Sequence, residues 1–293
     1  MPMSPARDEY IIAGDLTFHC LQWGERGTPI ICVHGLTANA FCFQALADEL
    51  APDHRVIAYD LRGRGDSDKP ESGYSIPIHA ADLAELIDTL ELDRPVVIGH
   101  SLGAMIALHF AAYYPDKLSK LVLIDAGGYL PWTTEEEQPA WLTGSIARLN
   151  WPPIASFEEY IQRLKLAPFL SPYWNEYLDI YFVHDVYQER DGSIIAKGYP
   201  AAVREDQLRI YEEFKPDRLW PSIQVPTLLL RAGQELLTPN DQLLPESTAE
   251  AIQQGIPHCR YINYPELNHY TIIFVMGDGV AQDIRNFVEA KEQ

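Results

Sequence analysis

The chain has 293 residues, 47% of them hydrophobic, which is enough for one large α/β domain or two small ones. Its 22 Lys and Arg residues against 42 Asp and Glu residues give a formal net charge of −20. A surface this acidic repels nucleic-acid phosphates and anionic lipid headgroups, so we expect neither nucleic acid nor a membrane as a partner.

No apolar run approaches the roughly 20 residues of a membrane span, and residues 1–7 lack the apolar core of a signal peptide. The four cysteines form neither a C-x-x-C pair nor a metal-ligand pattern with histidine. We therefore expect a cytoplasmic protein with reduced thiols, no metal and no cofactor. The oligomeric state cannot be read from this sequence.

Short apolar runs recur along the chain, most of them ending at a glycine or an aspartate. The first two flank Gly14 and Asp15, a pair that suits the tight turn of a β-hairpin. The later runs are continuous, which is typical of strands buried on both faces of a parallel sheet. They cover residues 29–33, 56–59, 95–98, 121–124, 227–230 and, more weakly, 260–263.

Helical spacing of apolar residues alternates with these strands. It predicts helices over residues 78–90, 102–114, 241–254 and 273–290. Strands that alternate with helices imply an α/β fold with a doubly wound sheet.

Residues 127–215 break the alternation, are rich in aromatic residues and are too long for a simple loop. We predict a core domain of residues 1–126 and 216–293, with residues 127–215 as a mainly helical cap. An insertion at this place lies over the strand ends where α/β sheets bind ligands. The alternative is a second core without a role in binding. The cap residues expected to contact substrate are Trp132, Trp141, Tyr160 and Tyr181.

Residues 99–103 read Gly-His-Ser-Leu-Gly, a G-x-S-x-G motif between a predicted strand and a predicted helix. A serine at such a turn projects its hydroxyl into the cleft, so Ser101 is the expected nucleophile. It needs a base, and His269 lies between the last strand and the last helix, where a loop can return to the strand ends. The side chain of His100 is expected to point away from the cleft.

A second motif, His34-Gly35-Leu36, follows the strand at residues 29–33. The glycine allows a sharp turn that directs a main-chain N–H into the cleft. The N–H groups of Leu36 and Leu102 are therefore the predicted oxyanion hole. His34 is expected to brace the loop.

A carboxylate must fix the tautomer of the imidazole. Glu235 lies just after the strand at 227–230, and Asp125 ends the strand at 121–124. The order serine, acid, histidine along the chain fits both residues. We prefer Glu235 and keep Asp125 as the alternative.

Together these residues resemble the α/β-hydrolase superfamily, in particular its lidded serine esterase, lactonase and carbon–carbon hydrolase branch. The resemblance extends over nearly the whole chain and includes the segment Asp-Leu-Arg-Gly-Arg-Gly-Asp-Ser at residues 60–67. It implies an eight-stranded, mostly parallel sheet with a helical cap. It also implies an acid after the strand at 227–230, which maps onto Glu235, although that position is more commonly aspartate.

The turn that carries Ser101 is the nucleophile elbow of this superfamily. Serine at the elbow points to acyl transfer, since members that form an alkyl–enzyme ester carry aspartate there. We expect a carboxylic ester hydrolase that acts on a mostly hydrophobic small molecule. A lactonase and a hydrolase of the carbon–carbon bond of a ring-fission product are the alternatives. From another class of protein, a slow-turnover small-molecule receptor of the same fold is the rival.

Overall fold

The strands were located in a computed structural model that describes residues 3–276 and 279–290. They are β1 (Arg7–Ala13), β2 (Leu16–Trp23), β3 (Pro29–Val33), β4 (Arg55–Tyr59), β5 (Val96–His100), β6 (Lys120–Ile124), β7 (Val186–Gln188), β8 (Ile194–Ala196), β9 (Thr227–Ala232) and β10 (Cys259–Tyr264). Eight of them form one sheet in the order β1-β2-β4-β3-β5-β6-β9-β10. β2 pairs antiparallel with β1 and β4, and the other pairs are parallel. The predicted fold class is thus confirmed.

Alternate residues of the central strands face two separate hydrophobic layers. Ile31 and Val97 belong to one layer, whereas Ile30 and Ile98 belong to the other. Because both faces are covered, most side chains of these strands are apolar, and this explains the continuous apolar runs. The hairpin between β1 and β2 turns at Gly14, whose φ is +59°, as predicted.

Helices cover the sheet and also form most of the segment between β6 and β9. They are α1 (Gln44–Leu50), α2 (Ile76–Thr89), α3 (Leu102–Tyr113), α4 (Ala140–Arg148), α5 (Phe157–Leu164), α6 (Glu176–His184), α7 (Pro200–Glu213), α8 (Glu246–Gly255), α9 (Thr271–Phe274) and α10 (Val280–Glu289). None of the helices among the described residues is long and apolar enough to cross a membrane. The four cysteines of the chain are free thiols, and three of them are buried.

Two predicted helices differ from the structure. The helix expected over residues 241–254 begins only at Glu246, because Asp241 folds a loop by accepting the N–H groups of Leu236 and Leu237. The helix expected over 273–290 is two helices, α9 and α10, and residues 277–278 lie outside the described part. The φ of +115° at Gly279, just before α10, is incompatible with a continuous helix.

Residues 127–215 contain α4 to α7 and, unpredicted, the small antiparallel hairpin of β7 and β8. This segment is joined to the sheet domain by buried charges. Asp206 on α7 accepts hydrogen bonds from Arg64 Nη2 at 2.5 Å and from His79 Nε2 at 2.9 Å, and all three side chains are buried. Burial alone would raise the pKa of Asp206, but the charges and hydrogen bonds of His79 and Arg64 hold it to about 2.

A carboxylate whose pKa is lowered on folding stabilises the fold above its unfolded pKa and loses that effect as the pH falls. The contribution of Asp206 is therefore complete above about pH 5, and about 1 kcal/mol of it is lost by pH 3. We expect the difference in unfolding free energy between wild type and Asp206→Asn to shrink by that amount between pH 5 and pH 3, measured in urea. Asp15→Asn, at an exposed position, is the control. If the difference in unfolding free energy between wild type and Asp206→Asn is the same at pH 5 and pH 3, the pKa of Asp206 is not lowered by folding.

Candidate active site

Ser101 lies at the sharp turn that joins β5 to α3, with φ of +58° and ψ of −124°. A left-handed φ is strained for a residue with a side chain, so the turn is held by its surroundings. The flanking glycines make this possible. An added Cβ at Gly99 would lie 2.2 Å from the carbonyl oxygen of Gly103, and one at Gly103 would lie 1.9 Å from that of Val33.

Gly103→Ala is therefore expected to lower the free energy of unfolding by about 3 kcal/mol, since α3 would have to move away from β3. Urea unfolding measures the change. Gly144→Ala on α4 is the matched control, because an added Cβ there meets no atom within 4 Å. Alanine at that helix position is expected to be neutral or slightly stabilising. Equal stability of the two variants would contradict the close approach of Gly103 to the backbone of Val33.

His269, on the loop after β10, lines the same pocket as Ser101. Its Nδ1 lies 2.7 Å from Oδ2 of Asp125, and both side chains are at most 5% exposed. The second carboxylate oxygen of Asp125 accepts the N–H of Ala232 at 2.9 Å. Because the carboxylate is the acceptor, the proton of the imidazole lies on Nδ1 and Nε2 keeps its lone pair.

The two candidate acids lie in different surroundings. Glu235 is exposed, and its Oε1 accepts the main-chain N–H of Asn240 at 2.8 Å. It lies three residues beyond the end of β9, whereas Asp125 follows β6 directly. Since β6 is the neighbour of β5 in the sheet, its end lies beside the Ser101 turn. The alternative residue, Asp125, is therefore the one brought to the imidazole.

Burial shifts the pKa values of both partners. It raises the pKa of Asp125 above its usual range, against the lowering effect of the Ala232 N–H and the charge of Arg231. It lowers the pKa of His269 to about 3. At neutral pH the imidazole is thus uncharged, which is the state that can accept a proton.

Two further histidines support the site. Contrary to expectation, His100 lines the same pocket as Ser101. Its ring packs against that of His269, with centroids 4.7 Å apart and planes tilted by 30°, and its Nε2 donates to the carbonyl oxygen of His269. His34 braces its loop as predicted: Nε2 accepts the N–H of Leu61, and Nδ1 donates to the carbonyl oxygen of Gly35. Burial lowers the pKa of His34 to about 4.

The two predicted oxyanion donors both border the Ser101 side chain. Leu36 and Leu102 line one pocket with Ser101, and neither N–H donates to an acceptor among the described residues. Two arginines, to which the sequence assigned no role, fix the loop that carries Leu36 by donating hydrogen bonds to its carbonyl oxygens. Arg64 Nε donates to the carbonyl oxygen of Leu36 at 2.9 Å, and Arg148 Nη2 donates to that of Thr37 at 3.1 Å.

Two small pockets border Ser101, and a larger cavity under the cap adjoins one of them. The nucleophile pocket, about 50 Å³, contains Ser101 and His269. The apolar pocket, about 40 Å³, contains Ser101 and Leu102. The cap cavity, about 240 Å³, shares Trp141 and other residues with the nucleophile pocket. A larger groove of about 710 Å³ between α4 and α7 contains neither Ser101 nor His269.

Three of the four predicted cap residues line these cavities. Trp141 borders all three, Tyr181 borders the nucleophile pocket and the cap cavity, and Trp132 borders the apolar pocket. Tyr160 lines none of them, because its hydroxyl is bonded to Asp185 and it packs behind the cavity wall. Tyr270, next to His269 in the sequence, also lines two of the cavities and was missed.

Known proteins were compared with this chain. Residues 28–274 match the family model described as "alpha/beta hydrolase fold". A 2-(acetamidomethylene)succinate hydrolase of Mesorhizobium japonicum is 39% identical over 117 residues, 40% of this chain and 42% of that protein. A 3-hydroxybutyrate-oligomer hydrolase of Cupriavidus necator is 26% identical over 268 residues, 85% of each chain.

The chain spans about half or less of the length of several other curated relatives, including 49% of a "Serine hydrolase-like protein" of Danio rerio at 32% identity over 51% of this chain. Among solved structures, E-2-(acetamidomethylene)succinate hydrolase superposes with a TM-score of 0.83 at 25% identity, covering 98% of this chain and 100% of that one. An enol-lactonase of Burkholderia xenovorans LB400 shares the fold, with a TM-score of 0.73 at 18% identity and 96% and 100% coverage. The chain belongs to the α/β-hydrolase fold family.

Proposed function

We propose that the protein is a serine hydrolase that cleaves a carboxylic ester of a small, mostly hydrophobic molecule through an acyl-enzyme. Ser101 is the nucleophile, His269 the general base, and Asp125, rather than Glu235, the residue that orients the imidazole. The observation that carries the proposal is that a strained serine and a neutral, carboxylate-bonded histidine line one pocket.

In the proposed reaction His269 Nε2 takes the proton of Ser101 as Oγ attacks the substrate carbonyl carbon. The oxyanion that forms accepts hydrogen bonds from the N–H groups of Leu36 and Leu102. His269 then gives the proton to the leaving alcohol oxygen as the C–O bond breaks, and the acyl-enzyme remains. A water that gives its proton to His269 attacks the acyl carbon, and release of the acid restores Ser101.

We assign residues 127–215 the role of a cap that contacts the substrate. Support comes from the aromatic and aliphatic walls of the two small pockets, to which Trp132, Trp141 and Tyr181 contribute. Apolar walls with few polar groups favour an apolar substrate over a highly charged one. The arginines of the cap cavity are already paired, Arg148 with Asp185 and Arg163 with Glu159.

Fluorophosphonate labelling followed by a substrate panel tests the proposal. Labelling at Ser101 and turnover of short p-nitrophenyl esters are the expected results. The panel also contains acyl-homoserine lactones and a ring-fission diketone, and a much higher kcat/KM for either would replace ester cleavage by that reaction. A ligand that raises the melting temperature of the unlabelled protein and is turned over negligibly would indicate the slow receptor instead.

A further inference from the structure

Four tryptophans are buried, and the described residues provide no hydrogen-bond acceptor for the indole N–H of one of them. Trp23, Trp141 and Trp220 donate from Nε1 to Gln44, to the carbonyl oxygen of Asp241 and to that of Gly127, at 2.9 to 3.2 Å. Trp132 is only 6% exposed, and its Nε1 has no partner among the described residues. Leaving a buried donor unpaired costs about 1–3 kcal/mol, so the exception needs a reason.

Trp132 lines the apolar pocket together with Ser101. Among the buried side-chain atoms that lack a partner within the described part of the chain, Trp132 Nε1 is the one that belongs to this pocket. Most of the remaining wall is aliphatic, and it includes Met105 and Ile210. A buried, unpaired donor in a mostly apolar pocket beside the proposed nucleophile indicates a site shaped for a ligand atom.

The pocket limits what that ligand group can be. Its volume of about 40 Å³ accepts about three non-hydrogen atoms, since one water needs roughly 10–15 Å³. None of its lining residues is cationic, so a carboxylate there would be a buried, uncompensated charge. An uncharged acceptor, such as an ether or ketone oxygen, satisfies the indole N–H without that cost.

We propose that the substrate places a short group with a neutral hydrogen-bond acceptor in the apolar pocket, where the acceptor takes the hydrogen bond of Trp132 Nε1. Trp132 is then a specificity-determining residue, and the inference rests on the ester hydrolysis proposed above. It predicts that the enzyme prefers an oxygen to a methylene at one position of an otherwise identical substrate.

Two isosteric ester pairs test this. On the acyl side, p-nitrophenyl methoxyacetate is compared with p-nitrophenyl butanoate, and on the alcohol side 2-methoxyethyl acetate is compared with butyl acetate. The ratio of kcat/KM within each pair is measured for wild type and for Trp132→Phe, which keeps a ring but removes the N–H. The intrinsic reactivity of each ester cancels when the two ratios are divided.

For one of the pairs we expect Trp132→Phe to lower the preference for the ether by about three- to tenfold, the effect of one neutral hydrogen bond. That pair also tells which part of the ester enters the pocket. Trp141→Phe is the matched control, because Trp141 borders the same pocket but its N–H is already bonded. It should change both esters of a pair by the same factor. Unchanged preferences in both pairs with Trp132→Phe would overturn the proposal.

If wild type turns over none of the four esters, the proposed ester hydrolysis fails, and the pocket is tested by binding. The melting-temperature shift that each ester causes is then measured in Ser101→Ala and in Ser101→Ala with Trp132→Phe. A three- to tenfold loss of relative affinity for the ether in the double variant supports the role of Trp132, and equal affinities refute it.

Discussion

Ser101→Ala is expected to lower kcat for a short p-nitrophenyl ester by about 10⁵- to 10⁶-fold, because the nucleophile and its base act as a unit. The residual rate would come from binding and the oxyanion donors. Alanine keeps the Cβ, so the strain at φ of +58° is unchanged and the fold should be retained. Steady-state kinetics and the melting temperature measure the two effects.

Ser145→Ala is the control for this variant. The Ser145 hydroxyl lies in the same nucleophile pocket and is hydrogen-bonded to Tyr270 at 2.6 Å. Its loss should cost less than about tenfold and leave fluorophosphonate labelling intact, since it removes one neutral hydrogen bond. Near wild-type turnover by Ser101→Ala, or loss of labelling only in Ser145→Ala, would show that Ser101 is not the nucleophile.

Asp125→Asn is expected to lower kcat by about 10³- to 10⁴-fold. The asparagine oxygen can still accept the Ala232 N–H, so its NH₂ group would face Nδ1 of His269. The imidazole must then carry its proton on Nε2, the wrong tautomer for a base. Asparagine tolerates the φ of +53° at this position, so the backbone should be unaffected.

Glu235→Gln is the paired variant, and its kcat should remain within about twofold of wild type. The glutamine oxygen can keep the hydrogen bond to Asn240, and Glu235 has no contact with the imidazole. Kinetics at matched stability separate the two acids. A larger loss for Glu235→Gln than for Asp125→Asn would reverse the assignment of the acid.

The sequence could identify the strands and the elbow because their signals are local. Buried parallel strands are continuous apolar runs. The G-x-S-x-G motif between a strand and a helix needs both glycines, because Gly103 lies close to the backbone of Val33 and Gly99 lies close to the backbone of Gly103. The choice of acid was different, because it depends on which strand ends lie side by side. Chain order fits both Asp125 and Glu235, whereas the pairing of β5 with β6 favours Asp125, which we propose as the acid.

Other differences between the expectations and the structure have the same origin. An apolar pattern over 241–254 is helical in spacing, but it carries no sign that the Asp241 side chain bonds to three preceding main-chain N–H groups. The side-chain directions of His100 and Tyr160 are set by partners far along the chain, the carbonyl oxygen of His269 and the carboxylate of Asp185. Such partners become visible only when the chain is folded.

The arginines that hold the loop of Leu36 and Thr37 are themselves held by the cap. Arg64 is paired with Asp206, and Arg148, itself a residue of α4, is paired with Asp185. Displacement of the cap would thus release the loop that carries the N–H of Leu36, the proposed oxyanion donor. A compound that displaces the cap would therefore inhibit the proposed hydrolysis without contacting Ser101, since the serine would remain in place but lose its oxyanion donor.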